Sequence, residues 1–134
     1  VICGYGPVGQ ALHEAMDRLS VPVVVIEMNA GTVKTLHERG VQVLFADATN
    51  VETMKLARVE DARAIAFTFP EPLLAIEGVR AARTLNGGVV TYARAKFGSG
   101  VELLKKEGVH HIFHDEAMSG KAMVTAVLGC YEVE

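Results

Sequence analysis

Short apolar runs alternate with amphipathic segments along the whole chain. Each apolar run has the length of a buried strand, and the segment after it carries apolar residues at helical spacing, as Val8, Leu12 and Met16 do. The predicted strands span residues 1–3, 21–26, 41–45, 64–68, 89–93 and 109–113. The first predicted helix begins at Pro7, and the other predicted helices span residues 30–39, 51–57, 73–85, 101–107 and 116–128. The pattern predicts an α/β fold, a Rossmann-like doubly wound sheet of six parallel strands in the order 3-2-1-4-5-6.

Turn-forming residues separate the predicted elements. Asn29 is placed to cap the second helix, Gly40 is suited to end it in a left-handed conformation, and Gly108 closes the fifth helix. Residues 97–100, with the sequence Phe-Gly-Ser-Gly, are interpreted as a flexible joint. Because no other segment resembles a linker or a repeat, we expect residues 1–134 to form a single domain.

The first predicted strand leads directly into the motif Gly-x-Gly-x-x-Gly at residues 4–9. In such a motif the first glycine permits a tight turn, the second lets the backbone approach phosphates, and the third lets the helix pack on the strand. Pro7 fits the first helical position, where its missing N–H loses no bond. The motif therefore predicts a phosphate site on free helix N–H groups, with an ordinary strand-to-helix turn as the alternative.

Glu27 follows the second predicted strand, about 20 residues past the glycines, where an acid usually binds a ribose. We expect its carboxylate to accept both ribose hydroxyls and to discriminate against NADP, whose 2′-phosphate would meet like charge. The alternative is a solvated carboxylate at a strand end.

Asp47 and Thr49 follow the third predicted strand and should face the same crevice as Glu27, because ligands bind outside the carboxyl ends of parallel strands. In the alternative interpretation Thr49 or Asn50 caps the next helix and Asp47 faces its dipole. The two interpretations are compatible.

Arg94 stands at the end of the fifth predicted strand, directly after Ala93, and is the candidate for the positive charge of the site. The glycine motif contains no lysine or arginine, and Glu27 and Asp47 add negative charge. Arg94 is therefore predicted to bind a phosphate across the crevice or in a dimer partner's site. The alternative is a surface ion pair with an acid such as Glu71.

Composition narrows the class of protein. With 134 residues, half of them hydrophobic, the chain can bury a proper core. The net charge of −3 without a basic block argues against a nucleic-acid partner or a membrane-surface binder. Cys3 and Cys130 do not make a disulfide framework, and no apolar run is long enough to span a bilayer. We therefore expect a soluble, cytoplasmic domain.

No residue constellation predicts catalysis or metal binding. His110, His111 and His114 lie beside Asp115, but alternation along a strand places His110 and His111 on opposite faces. We interpret this tract as a polar strand end rather than as a metal site. No nucleophile has a base at motif spacing, and nothing is present to close over a nicotinamide ring. A bound nucleotide is accordingly expected to act as a signal and not as a reagent.

The chain resembles the regulator of potassium conductance domains, also called Trk-type NAD-binding domains, over nearly its whole length. The similarity rests on the segments 1–9, 24–27, 46–49 and 93–95, with the sequences VICGYGPVG, VVIE, ADAT and ARA. It is strongest to the cytoplasmic domains of Kef-type potassium/proton antiporters, although Pro7 stands where many of these have arginine.

The resemblance implies a regulatory domain at the cytoplasmic face of the plasma membrane, a fragment of a longer transport protein. It would bind NAD(H) or AMP/ATP, form a homodimer, and gate ion movement through its own membrane transport domain. Together with the motifs, it gives the candidate cofactor-binding residues Gly4, Tyr5, Gly6, Pro7, Val8, Gly9, Glu27, Met28, Asn29, Asp47, Ala48, Thr49, Thr68, Phe69 and Arg94. Two alternatives remain: the NAD-binding portion of a small oxidoreductase, and a free-standing Trk-type subunit of a potassium uptake system.

Overall fold

The computed structural model describes residues 1–132 and contains one sheet of six parallel strands in the order β3-β2-β1-β4-β5-β6. The strands are β1 (Ile2–Cys3), β2 (Val25–Glu27), β3 (Val43–Phe45), β4 (Ala64–Phe67), β5 (Val90–Ala95) and β6 (His111–His114). The helices are α1 (Pro7–Arg18), α2 (Ala30–Glu38), α3 (Val51–Leu56), α4 (Pro72–Leu85), α5 (Gly98–Glu107) and α6 (Asp115–Leu128). The predicted α/β class and strand order are confirmed.

Strand β2 is shorter than its apolar run predicted. Pairing begins at Val25, which lies opposite Ile2, the first residue of β1. Residues 21–24 lie outside β2, although Val24 O accepts a hydrogen bond from Ile2 N–H at 2.9 Å, and Val21 is exposed. The apolar run therefore predicted the position of the strand but overstated its length.

The interpretation of residues 97–100 as a flexible joint is wrong. Phe97 caps α5, which begins at Gly98. A Cβ atom on Gly100 would lie 2.6 Å from Pro72 Cγ and 3.1 Å from Ala95 Cβ. Gly100 therefore lets α5 pack closely on β5 and α4, so its small size serves packing and not mobility.

One face of the β4–β5 half of the sheet carries the main core. Residues along β4 and β5 alternate strictly between buried and partly buried positions, and Ile65, Phe67 and Ala93 point to the buried side. Helices α4 and α5 cover this side, and α4 approaches so closely that a Cβ on Gly78 would overlap the Phe67 ring. A smaller cluster of Ile2, Val25 and Leu36 joins β1, β2 and α2.

The opposite face of the same strands is open. It forms a groove of about 980 Å³ lined by Ala66, Tyr92 and Phe113 from the sheet and by Leu12 and Met16 from α1. The apolar stripe of α1 faces this groove, which explains why Leu12 and Met16 are only partly buried. Helix α6 follows β6 without covering the groove and has no buried residue. Among the helices that the structure describes, none is both long and apolar enough to cross a membrane.

Candidate functional site

The carboxyl ends of the strands bring the glycine motif beside β4 and β5. Cys3 pairs with Phe67, and Phe67 pairs with Ala93. The residues that follow these three in their strands are Gly4, Thr68 and Arg94. They therefore lie side by side along one edge of the sheet, the edge formed by the carboxyl ends of its strands. This edge is the place where doubly wound sheets bind ligands.

The three glycines of the motif face different constraints. Gly4 has φ +96°, a conformation that other residues rarely adopt. A Cβ on Gly9 would overlap the carbonyl oxygen of Gly4. Gly6 has an ordinary φ of −78°, and a Cβ there would meet nothing within 4 Å. The described fold thus requires glycine at positions 4 and 9, whereas the space above Gly6 is open.

Helix α1 begins at Pro7, as predicted, with Gly6 as its N-cap and no side-chain cap. The first intrahelical bond runs from Gln10 N–H to Gly6 O. The N–H groups of Gly6, Val8 and Gly9 find no acceptor within residues 1–132. Together they form a ready donor set for an anion at the positive end of the helix.

Glu27 lies at the end of β2 and reaches back to the glycine motif. Its Oε1 accepts a hydrogen bond from Tyr5 N–H at 3.0 Å, and its Oε2 accepts from Met28 N–H at 2.6 Å and Asn29 N–H at 2.9 Å. A carboxylate has about four lone-pair positions, so three bonds leave one position, on Oε1. The carboxylate is fixed in place and keeps room for one further donor.

Thr68 and Phe69 support the glycine motif from the end of β4. The Thr68 hydroxyl lies 2.9 Å from both Cys3 O and Gly4 O and is buried. A Cβ on Gly4 would lie 3.3 Å from the Phe69 ring. Thr68 therefore holds the turn in shape, and the Phe69 ring lies close beside Gly4.

Arg94 is the next-to-last residue of β5 and not its end, and it pairs with Asp115. Its Nε donates to Asp115 Oδ1 at 3.2 Å and its Nη2 to Asp115 Oδ2 at 2.7 Å, while its Nη1 donates to Thr68 O at 2.9 Å. The Arg94 and Asp115 side chains are 24% and 29% exposed. The ion pair that sequence suggested with Glu71 is thus formed with the first residue of α6.

Asp47 forms a local turn with Thr49, since its Oδ1 accepts from Thr49 N–H at 2.8 Å and from Thr49 Oγ1 at 2.7 Å. The cap of α3 is Asn50, which accepts from Glu52 N–H at 2.7 Å, so the capping alternative is correct for Asn50 and wrong for Thr49. Ala48 is buried against Gly78. Asp47 is exposed beside β3.

Two exposed residues, Met28 and Asn29, follow Glu27 along the chain. Met28 presents an exposed side chain, and Asn29 caps α2 by accepting from Thr32 N–H at 3.0 Å. On the other side the Tyr5 hydroxyl bonds His13 Nδ1 at 2.8 Å. Partial burial raises the pKa of Tyr5, an effect that nearby Arg39 opposes. Tyr5 therefore stays a neutral phenol at physiological pH.

His110 and His111, where β6 begins, contact residues of β5. His110 Nδ1 accepts from Thr91 N–H at 3.0 Å, and the His111 ring stacks on Tyr92 with centroids 4.7 Å apart. No group of three metal-ligating side chains occurs in the part of the chain that the structure describes.

Burial raises the pKa of the Cys3 thiol to about 12, so Cys3 is a packed thiol and not a nucleophile.

Sequence reasoning missed Asp115 as part of this edge of the sheet. Arg94 pairs with Phe113 across β5 and β6, which places Asp115 just past the neighbouring strand end. An acid directly after a strand was the signal that identified Glu27, and the same signal was present at Asp115. Using it required the strand order and the register of β5 against β6.

Comparison with known proteins identifies the family. A model of the TrkA-N domain matches residues 1–115. The inner membrane protein YbaL of Escherichia coli, whose name assigns it to the cation/proton antiporters, is 33% identical over 92% of this chain. The solved TrkA-N domain of YbaL superposes with a TM-score of 0.89, and 93% of each chain is covered.

One further relative and one further solved structure extend the comparison. KefB of Alkalimonas amylolytica, named as a K⁺ efflux antiporter, is 26% identical over 96% of this chain. The solved Kef carboxyl-terminal domain of Shewanella denitrificans, in an AMP-bound form, has a TM-score of 0.78 at 20% identity, with 96% of this chain and 79% of that chain covered. This chain spans 22% of the length of YbaL and 19% of the length of KefB. By its sequence match and its fold, the chain belongs to the TrkA-N domain family.

Proposed function

We propose that this chain is the nucleotide-binding regulatory domain of a longer membrane transport protein, a potassium or other monovalent cation/proton antiporter. The observation that carries the proposal is the open space above Gly6. Its φ is ordinary and a Cβ would touch nothing, so the described fold gives no reason for glycine at this position. A ligand phosphate close to the backbone gives one.

The geometry of the edge suits an adenine nucleotide such as AMP, ATP or NAD(H). The free lone pair of Glu27 Oε1 suits one ribose hydroxyl, and the N–H groups of Gly6, Val8 and Gly9 suit a phosphate. Asp47, Ala48, Thr49, Met28 and Asn29 would then surround the adenosine end of the ligand. The AMP-bound Kef domain is consistent with this assignment.

The role we assign to the ligand is regulation without catalysis. The YbaL and KefB names support a partner domain that carries ions across the membrane. Our proposal puts that domain in the same polypeptide and this chain on the cytoplasmic face. Gating requires that the nucleotide bind one arrangement of the domain more tightly than another. A coupling free energy of about 1–3 kcal/mol would suffice.

The regulatory unit is proposed to be a homodimer built on the open groove and α6. The groove is apolar, and α6 exposes Met118, Met123, Val124 and Val127. Both surfaces belong to the same chain and adjoin each other at Asp115 and Met118. A two-fold exchange, in which α6 of each copy lies on the groove of the other, buries both surfaces at once.

Isothermal titration calorimetry tests the nucleotide site. We expect saturable binding of AMP and of NAD, and loss of both in Gly6→Val, whose side chain fills the space above the turn. Gly87→Val is the matched control, because a Cβ at Gly87 also meets nothing within 4 Å and Gly87 precedes β5 at the opposite edge of the sheet. Absence of saturable binding at millimolar concentration of AMP, ATP and NAD(H) would refute the site, as would equal loss in the two variants.

A further inference from the structure

The Arg94–Asp115 pair stands between the glycine motif and the start of α6. Arg94 donates to Thr68 O, and the Thr68 hydroxyl bonds Gly4 O. On its other side Arg94 holds both carboxylate oxygens of Asp115, the first residue of α6. Arg94 is thus connected to the proposed phosphate site through a single residue.

The direction of a bound nucleotide follows from the strand order. Glu27 lies on the β2 side of the glycine motif, and Thr68 and Arg94 lie on the β4–β5 side. With the ribose at Glu27 and the first phosphate at the motif, any group beyond that phosphate extends toward Arg94. Neighbouring strands are about 4.8 Å apart, so Arg94 begins roughly two such spacings from Gly4, within reach of a long side chain.

In the ligand-free protein this arginine is already engaged. Asp115 occupies the bidentate edge of the guanidinium and cancels its charge. A second or third phosphate can gain a strong contact with Arg94 only if the Asp115 carboxylate is displaced. AMP, which ends at the first phosphate, needs no such exchange.

We infer that Asp115 is a specificity-determining residue of the nucleotide site. By holding Arg94, it lowers the affinity for ligands that extend past the first phosphate and leaves the affinity for AMP unchanged. The same exchange frees the first turn of α6, so that extended nucleotides and AMP act differently on the helix proposed to join two copies. This inference rests on the proposed nucleotide site.

The test is the ratio of ATP affinity to AMP affinity, measured by calorimetry on the chain and on Asp115→Asn. The substitution keeps the size of the side chain and removes the charge that holds Arg94. We expect ATP and ADP to bind about tenfold more tightly, which corresponds to about 1.4 kcal/mol, and AMP to bind as before. Glu116→Gln is the matched control, since it removes one charge from the same first turn without touching Arg94.

A second variant, Arg94→Gln, keeps the inference testable if Asp115→Asn does not fold. It removes the cation and should weaken ADP and ATP by a larger factor than AMP, and adding Asp115→Asn to it should give much less than the tenfold gain expected in the parent chain. An unchanged ratio in Asp115→Asn, or an equal rise in Glu116→Gln, would overturn the inference while AMP binding leaves the proposed function standing. If the parent chain binds no nucleotide, the proposed function fails, and this inference fails with it.

Discussion

The two faces of strands β4 and β5 differ in whether helices of the same chain cover them. On one face Ile65, Phe67 and Ala93 are at most 1% exposed, covered by α4 and α5. On the other face Ala66 and Tyr92 are only partly buried, and Phe113 of neighbouring β6 is 43% exposed. The same strands supply both faces through alternate residues. The covered face stabilises the single chain, whereas the open face is apolar surface that the described residues leave uncovered.

The largest effect should come from the covered face. Phe67→Ala removes a ring that is 1% exposed and packs against Gly78, so it should lower the free energy of unfolding by about 3–5 kcal/mol. Urea unfolding followed by circular dichroism measures this. Phe113→Ala is the matched control on the open face and should cost less than about 1.5 kcal/mol, because the ring is already partly solvated. Similar losses in the two variants would contradict the distinction between the faces.

A smaller effect separates two glycines of one motif. Gly9→Ala forces a methyl group onto the carbonyl oxygen of Gly4 and should cost about 1–3 kcal/mol of stability. Gly6→Ala meets no atom within 4 Å and should cost less than about 1 kcal/mol, although it too should impair nucleotide binding. Thermal unfolding of both variants without ligand checks the difference. If Gly6→Ala is the more destabilising of the two, the space above Gly6 has a structural role that the contacts do not reveal.

A substitution in α6 should have the smallest effect on the stability of the single chain. It should have a large effect on the association of two chains. Val124 is 57% exposed and lies in a helix with no buried residue. Val124→Asp should therefore change the stability of a monomer by about 0.5 kcal/mol or less, yet it should dissociate the dimer by placing a charge in an apolar interface. Analytical ultracentrifugation of the parent chain and the variant distinguishes the two. A parent chain that stays monomeric at high concentration would refute the proposed dimer.

The sequence predicted most of the fold because its signals were local. Buried strands, the turn at residues 4–9 and the left-handed helix end at Gly40 follow from residue type and spacing, and the structure confirms the left-handed conformation with φ +77° at Gly40. The prediction of a flexible joint at residues 97–100 was wrong because glycine occurs both in mobile segments and at close packing contacts. Only the positions of Pro72 and Ala95 decide which applies to Gly100.

The candidate site was predictable in part for the same reason. Glu27 and the glycine motif are joined by a hydrogen bond to Tyr5, as the spacing of an acid after β2 suggested. The partner of Arg94 was not predictable, since the choice between Glu71 and Asp115 depends on the register of β5 against β6. Periodicity marked the apolar stripe of α1 but could not tell that this chain leaves it open to a groove.

The most direct test of the nucleotide site is an NMR titration of the ¹⁵N-labelled chain with AMP. The account predicts that the largest amide shifts occur at Gly6, Val8 and Gly9, whose N–H groups are unpaired within residues 1–132, and at Tyr5, whose N–H bonds Glu27. The amide of Gly87, which precedes β5 at the opposite edge of the sheet, should not move. Shifts confined to the open groove, or none at the glycine motif when AMP is in millimolar excess, would contradict it.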